Sequence, residues 1–98
     1  MNLKILPSAF EDLKKSREFY ASQSLDLGEY FFDSLFADID SLLLYAGIHQ
    51  QYFDYHRKLS STFPYAIYYK VENSTEIIVY RVLDCRQNPE VIKGNLSK

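Results

Sequence analysis

Two apolar runs separated by a polar break dominate the hydropathy pattern. Tyr65 to Val71 (YAIYYKV) and Ile77 to Leu83 (IIVYRVL) are rich in β-branched and aromatic residues, which suit a packed, pleated surface. Glu72 to Glu76 between them is polar, and Asn73-Ser74 suits a tight turn. The pattern predicts a β-hairpin. Large side chains fall on both sides of each run, so these strands are expected in the middle of a sheet rather than half-wet.

Upstream, Asn2 to Leu6 alternates, with Leu3 and Ile5 on one side and Lys4 on the other, and Pro7 ends it. This reads as a first strand. Ser8-Ala9-Phe10-Glu11 then fits a capping box, with Ser8 as the N-cap of a helix reaching to about Gln23. Phe10, Leu13, Arg17 and Tyr20 share one face of it. Asp26-Leu27-Gly28-Glu29 fits a second box, with Asp26 as cap and Leu25 and Tyr30 at the staple positions. Phe32, Leu35, Phe36, Ile39, Leu42 and Leu43 follow a helical period, and Gly47 suits a terminator. So short a break between two helices makes them antiparallel neighbours.

His49 to Tyr55 reads as a polar-aromatic loop, and His56 to Leu59 as a short strand. After Leu83 the tail has room for one helical turn around Glu90 to Lys93, with Gly94 against a longer one. The predicted order is strand, helix, helix, strand, strand, strand. That is an α+β fold: a helical hairpin on one face of a small, mainly antiparallel sheet. A chain of 98 residues is expected to form a single domain, residues 1–98, without repeats or linkers.

Composition narrows the class. Apolar residues make up 47% and aromatic residues 16%, which argues for a packed globule over disorder. Tyrosine occurs nine times. Its apolar ring and polar tip suit the edge of a core, or a partner groove. Cys85 is the one cysteine, so no internal disulfide forms, which fits a reducing cytoplasm. No signal peptide or membrane span is expected. The net charge of −2 is unevenly spread. Residues 1–49 hold four bases against eight acids, and residues 50–98 hold seven bases against five acids. That is a weak footprint for a nucleic-acid binder, so direct sequence-specific DNA binding by this chain alone is not expected.

No phosphate loop or metal-ligand spacing is present, and neither cofactor nor metal is expected. His49, Asp54 and His56 form the only grouping with ligand chemistry, set against the simpler reading of two surface histidines. Cys85 has Arg86 beside it but no positioned histidine base, so a strand-end thiol is the simpler reading. The basic residues Arg57, Lys58, Lys70, Arg81 and Arg86 carry more weight. Arg81 interrupts an apolar strand, and strict alternation puts it on the face of Ile77, Val79 and Leu83. A charge there pairs with an acid such as Glu72 or Asp84, or it points into a cleft and binds an anion. A metal-free RNA-cleaving site would use such bases to steady phosphate, beside a separate acid and base.

Taken together, PSAFEDL, LGEYFFDSLFADIDSLL, YFDYHRKL, FPYAIYYKV and VYRVLDCRQNP, in this order and spacing, resemble the RelE/ParE superfamily of toxins from type II toxin-antitoxin modules. The resemblance spans nearly the whole chain and implies the fold derived above. It implies a cytoplasmic toxin with a role such as plasmid stabilisation. It also implies a cognate antitoxin, encoded alongside, whose C-terminal segment wraps the toxin. The expected antitoxin anchors are Tyr20, Tyr30, Phe53 and Tyr55. The superfamily divides by target. RelE-like members cut mRNA on the ribosome, whereas ParE-like members inhibit DNA gyrase and are not nucleases. This chain is more similar to ParE, because it is acidic and because residues 86–98 contain neither the Tyr nor the His that the nucleases supply. Tyr65 also stands after Pro64, where many relatives keep an Arg. If the chain were a nuclease, its set would be Arg57, Lys58, Arg81 and Arg86. A homologue that keeps antitoxin binding without toxicity is the third reading.

Overall fold

A computed structural model describes residues 1–97. Strand β1 (Asn2–Ile5) stops one residue short of Pro7, which opens helix α1 (Pro7–Ala21) at its first position. Proline fits there because the first helical N–H has no intrahelical acceptor. Leu6, not Ser8, is therefore the N-cap residue, and it makes no side-chain cap. The Ser8 hydroxyl instead donates to the Tyr80 carbonyl at 2.8 Å. Helix α2 (Leu25–Asp40) likewise starts earlier than its box suggested. Ser24 is the N-cap residue, and Asp26 sits in the first turn, where its charge suits the helix dipole. Leu25 is largely exposed rather than tucked in as a staple. Gly28 is needed where the hairpin closes: a Cβ there would sit 2.7 Å from the Cβ of Ala21. The second helix does not run unbroken to Gly47. It breaks at Ser41, whose hydroxyl donates back to the Asp38 carbonyl at 2.6 Å, and a short turn α3 (Leu42–Tyr45) follows. Gly47 ends that segment with φ +94°.

The sheet has five strands: β1, β2 (Gln51–Tyr52), β3 (Tyr55–Leu59), β4 (Tyr65–Glu72) and β5 (Glu76–Asp84). Their order across the sheet is β1-β5-β4-β3-β2. β1 runs parallel to β5, and all other pairs are antiparallel. The hairpin β4–β5 is central, as its pattern required, and Tyr65 to Tyr69 are all buried. Asn73 and Ser74 turn it with φ +54° and +60°. The small strand β2 lies inside the stretch read as loop.

A bulge decides which side chains face which layer. Tyr68 pairs with Arg81 and Tyr69 pairs with Val79, so Tyr80 is the extra residue. Before it, Ile77 and Val79 face the helical hairpin; after it, Val82 takes that side and Leu83 the other. Strict alternation therefore misplaces Arg81, which does not share a face with Ile77 and Val79. The main core lies between the hairpin and the sheet, around Leu13, Phe31, Leu35, Ile39, Ile67 and Tyr69.

The sheet's second face is covered in part by α4 (Pro89–Leu96), a full helix where one turn was expected. Asn88 caps it, accepting from Glu90 N at 2.8 Å. Ile92 and Leu96, one turn apart, are buried against Ala66, Tyr68 and Leu83. Burying two such side chains contributes about 1.5–3 kcal/mol each. That outweighs the cost of about 1 kcal/mol for Gly94 in a helix. No helix among the described residues is long and apolar enough to cross a membrane.

One buried acid ties the two layers together. Asp38, on α2, is only 7% exposed. Its carboxylate accepts from Ser60 Oγ at 2.8 Å, Ser61 Oγ at 3.0 Å and Ser61 N at 3.2 Å. These bonds fix the β3–β4 connection against the helix and seat Phe63 among Tyr20, Phe31 and Tyr65. Asp38→Ala is expected to cost about 2–4 kcal/mol, because it strands several donors at once. Equilibrium urea unfolding measures this, and a loss below the effect of an ordinary surface change would count against the role.

Candidate functional site

Beyond Ile5, among the described residues, the outer edge of β5 has no strand beside it, and α1 takes over. Leu6 N donates to the Val79 carbonyl at 3.0 Å, and Ser8 follows one residue on. Asp12 completes the series. Its carboxylate receives Arg81 Nε at 2.7 Å, Arg81 Nη2 at 2.8 Å and Val82 N at 3.0 Å. The fork geometry is the strong, two-bond form of an arginine–carboxylate pair. Arg81 Nη1 also reaches the Asn95 carbonyl on α4 at 3.4 Å. Bonding to Asp12 holds the Arg81 guanidinium still more firmly protonated than usual. Its partner is thus neither Glu72 nor Asp84. Glu72 receives the Tyr80 hydroxyl, and Asp84 pairs with Arg86 at 2.7 Å. The Arg86 bond pulls the Asp84 carboxyl below its usual range and raises Arg86.

Arg81 and Arg86 line one cleft of about 350 Å³, together with Lys15, Phe19, Asp84 and Asn95. Asp12 pairs with Arg81 there, and Asp84 with Arg86. Arg57 and Lys58 are not part of the cleft. They are adjacent on β3 and so point to opposite faces. Arg57 lies against Tyr52 and Cys85 on the α4 side. Lys58 lies on the hairpin side, where its charge acts on His49. The four bases named from the sequence therefore fall into three places.

The remaining residues sort by burial. Tyr20 is only 9% exposed and stacks on Phe31 with ring centres 5.0 Å apart, so it is a core residue and not a surface anchor. Tyr30 and Phe53 are exposed, at 56% and 51%. Tyr55 is half-buried; its hydroxyl donates to the Leu96 carbonyl at 3.0 Å and helps hold α4. His49 and His56 are not simple surface residues. Both rings pack on Tyr69, whose hydroxyl meets His49 Nδ1 and accepts from Gly47 N. No group of metal-ligating side chains occurs among the described residues. Cys85 is half-buried at the strand end. Burial raises the phenols of Tyr68 and Tyr80, so neither is a phenolate near neutral pH. Sequence reasoning missed Asp12 as the partner of Arg81, because its place in the second turn of α1 carries no signal for a strand 69 positions away.

The Asp12–Arg81 pair generates a stability prediction. Asp12→Ala leaves a half-buried guanidinium and the Val82 amide unpaired, and is expected to cost about 2–3 kcal/mol. Adding Arg81→Met should recover part of that loss in a double-mutant cycle read by denaturant unfolding. A second prediction concerns pH. Burial, then Lys58, then His56, hold His49 below its ordinary value of 6.5. The unfolded chain thus binds the proton more readily, so stability is full above 6.5 and falls as pH drops through that value toward the folded-state one. Melting temperature should decline between about pH 7.5 and about pH 5.5, and His49→Gln should flatten the decline.

The comparisons with known proteins agree with this architecture. The family described as "ParE toxin of type II toxin-antitoxin system, parDE" matches residues 3–89, from β1 to the start of α4. A solved structure described as the chromosomal ParDE TA system from P. aeruginosa is similar in fold, with a TM-score of 0.73. It shares 16% identity and covers 84% of this chain and 92% of its own. No curated protein matches the sequence. With the family match running through every strand and both hairpin helices, the chain belongs to the ParE toxin family of type II toxin-antitoxin systems.

Proposed function

We propose that this chain is a cytoplasmic toxin that inhibits DNA gyrase by binding rather than by catalysis, and that a cognate antitoxin neutralises it. The supporting observation is the disposition of its bases. Arg81 and Arg86 each hold an acid, and Arg57 and Lys58 face opposite ways. A phosphate-steadying site needs its cations convergent and beside a proton-transfer group. Among the described residues no histidine or cysteine lines the cleft shared by Arg81 and Arg86; Tyr65 does, with its phenol raised by burial, and the two acids there each hold an arginine. Family membership supplies the rest of the reading. Tyr30, Phe53 and Tyr55 remain the proposed antitoxin anchors; Tyr20 is withdrawn because it is buried.

A supercoiling and cleavage assay with purified gyrase tests this. The expected result is inhibition with trapped DNA breaks, reversed when the antitoxin encoded beside the chain is added. A folded, antitoxin-binding sample that leaves gyrase untouched would overturn the target. Codon-phased cuts in translated mRNA, abolished by Arg81→Ala in a folded variant, would then establish the RelE-like activity. Harmless expression without antitoxin would indicate a retained but inactive toxin.

A further inference from the structure

The sheet's second face carries cations of a different kind from those in the cleft. Arg57 on β3, Lys70 on β4 and Lys93 on α4 each rest on an aromatic ring. The guanidinium of Arg57 lies 5.3 Å from the centre of Tyr52. Lys70 Nζ lies 4.8 Å from Tyr55 and 5.3 Å from Tyr80, and Lys93 Nζ lies 5.8 Å from Phe53. Arg17, Arg81 and Arg86 each hold a carboxylate, on Glu29, Asp12 and Asp84. Among the described residues no carboxylate comes within 4.0 Å of Arg57, Lys70 or Lys93.

Arg57 is the least satisfied of the set. Its Nε is buried with no acceptor, its Nη2 reaches the Cys85 sulfur at 3.7 Å, and the Tyr68 phenol is its other polar neighbour. A thiol is a weak acceptor, and a ring face attracts the charge without taking its hydrogen bonds. A half-buried cation in that state gains more from an incoming carboxylate than a fully hydrated one does. The backbone beside it is open as well. β2 covers β3 only as far as Arg57, whose N–H donates to the Gln50 carbonyl at 2.9 Å. Leu59 lies past that cover, exposed, beside a cavity of about 290 Å³ lined by Gln50, Gln51, Tyr52 and Arg57. Phe53, at the β2–β3 turn, is held at φ +56°, a costly conformation for a bulky residue, with half its surface in solvent.

We propose that this face recognises an extended, acidic segment of a protein partner, with one carboxylate seated on Arg57 and others along Lys70 and Lys93. The assignment rests on the reading above, in which that partner is the antitoxin. Charge decides for a protein segment over a nucleic acid. The chain is net −2, and its first half holds eight acids against four bases, which repels a long polyanion. Three separated cations set between aromatic rings match a few spaced carboxylates on a mixed peptide.

The test is a calorimetric titration of the full chain and its variants with the antitoxin encoded beside it, joined to an amide NMR titration with a capped hexaglutamate peptide. Arg57→Gln should weaken antitoxin binding roughly thirtyfold or more, as expected for a partly buried charge pair. Lys93→Gln, on an exposed side chain, should cost about threefold. Lys14→Gln, on the outer surface of α1, should change nothing. Phe53→Gly should lose affinity while keeping or raising the melting temperature, because glycine accepts the positive φ. Hexaglutamate should shift the amides around Tyr52, Phe53 and Lys93. Equal antitoxin affinity for the wild type and a folded Arg57→Gln would overturn the proposal. If Arg57→Gln does not fold, the Lys70→Gln/Lys93→Gln double variant is held to the same criterion. An antitoxin that fails to bind the wild type defeats the functional reading instead, and hexaglutamate then decides alone: localised shifts uphold the acidic-segment site and their absence overturns it. Tighter binding on this face by a single-stranded oligonucleotide than by hexaglutamate would overturn the choice of a protein partner.

Discussion

The outer edge of β5 is the constraint from which much of the structure follows. Half of that edge is paired by β1, and half would face a helix with unpaired backbone polar groups. Such groups are costly when buried, so something must answer them. Asp12 does this for the Val82 amide and in the same stroke neutralises Arg81. One carboxylate thereby fixes α1 along β5, sets the cleft's electrostatics and removes the most suggestive cation in the sequence from the list of free groups. The bulge at Tyr80 belongs to the same arrangement, because it turns Arg81 away from the main core and lets Val82 fill it.

The two faces of the sheet are built to different standards. The hairpin side is dry and aromatic, closed at one end by Gly28 against Ala21 and stitched to the β3–β4 connection by Asp38. The other side is covered by a helix of eight residues that buries Ile92 and Leu96. That helix is too short to shelter the outer half of β3, so Arg57 and its neighbours stay at the border between core and solvent. A layer that is only partly closed is where a small protein retains room for a partner, and the unpaired cations gather there.

The hairpin, the two long helices and their antiparallel packing were legible from the residues, because each rests on local periodicity and a short connection. The family resemblance was legible for the same reason, being carried by the order of those segments. Less local features were not. The capping boxes at Ser8 and Asp26 had the right residues, but the N-caps lie two residues earlier, at Leu6 and Ser24, and the Ser8 hydroxyl found a carbonyl on β5 instead. The tail looked too weak for a helix until the apolar patch of Ala66, Tyr68 and Leu83 was there to bury it.

Composition and periodicity thus decided the class of fold, the central strands and the core-facing stripe of each helix, since these depend on neighbours in the chain. Which charges are neutral, and which are left over, depended on residues far apart. Asp12 and Arg81 are 69 positions apart, and Asp38 and Ser61 are 23 apart. A single extra residue in β5 reversed the side on which Arg81 lies. Charge pairing is a property of distance in space, and no pattern along the chain encodes it until the sheet's register and the helix's placement bring the partners together.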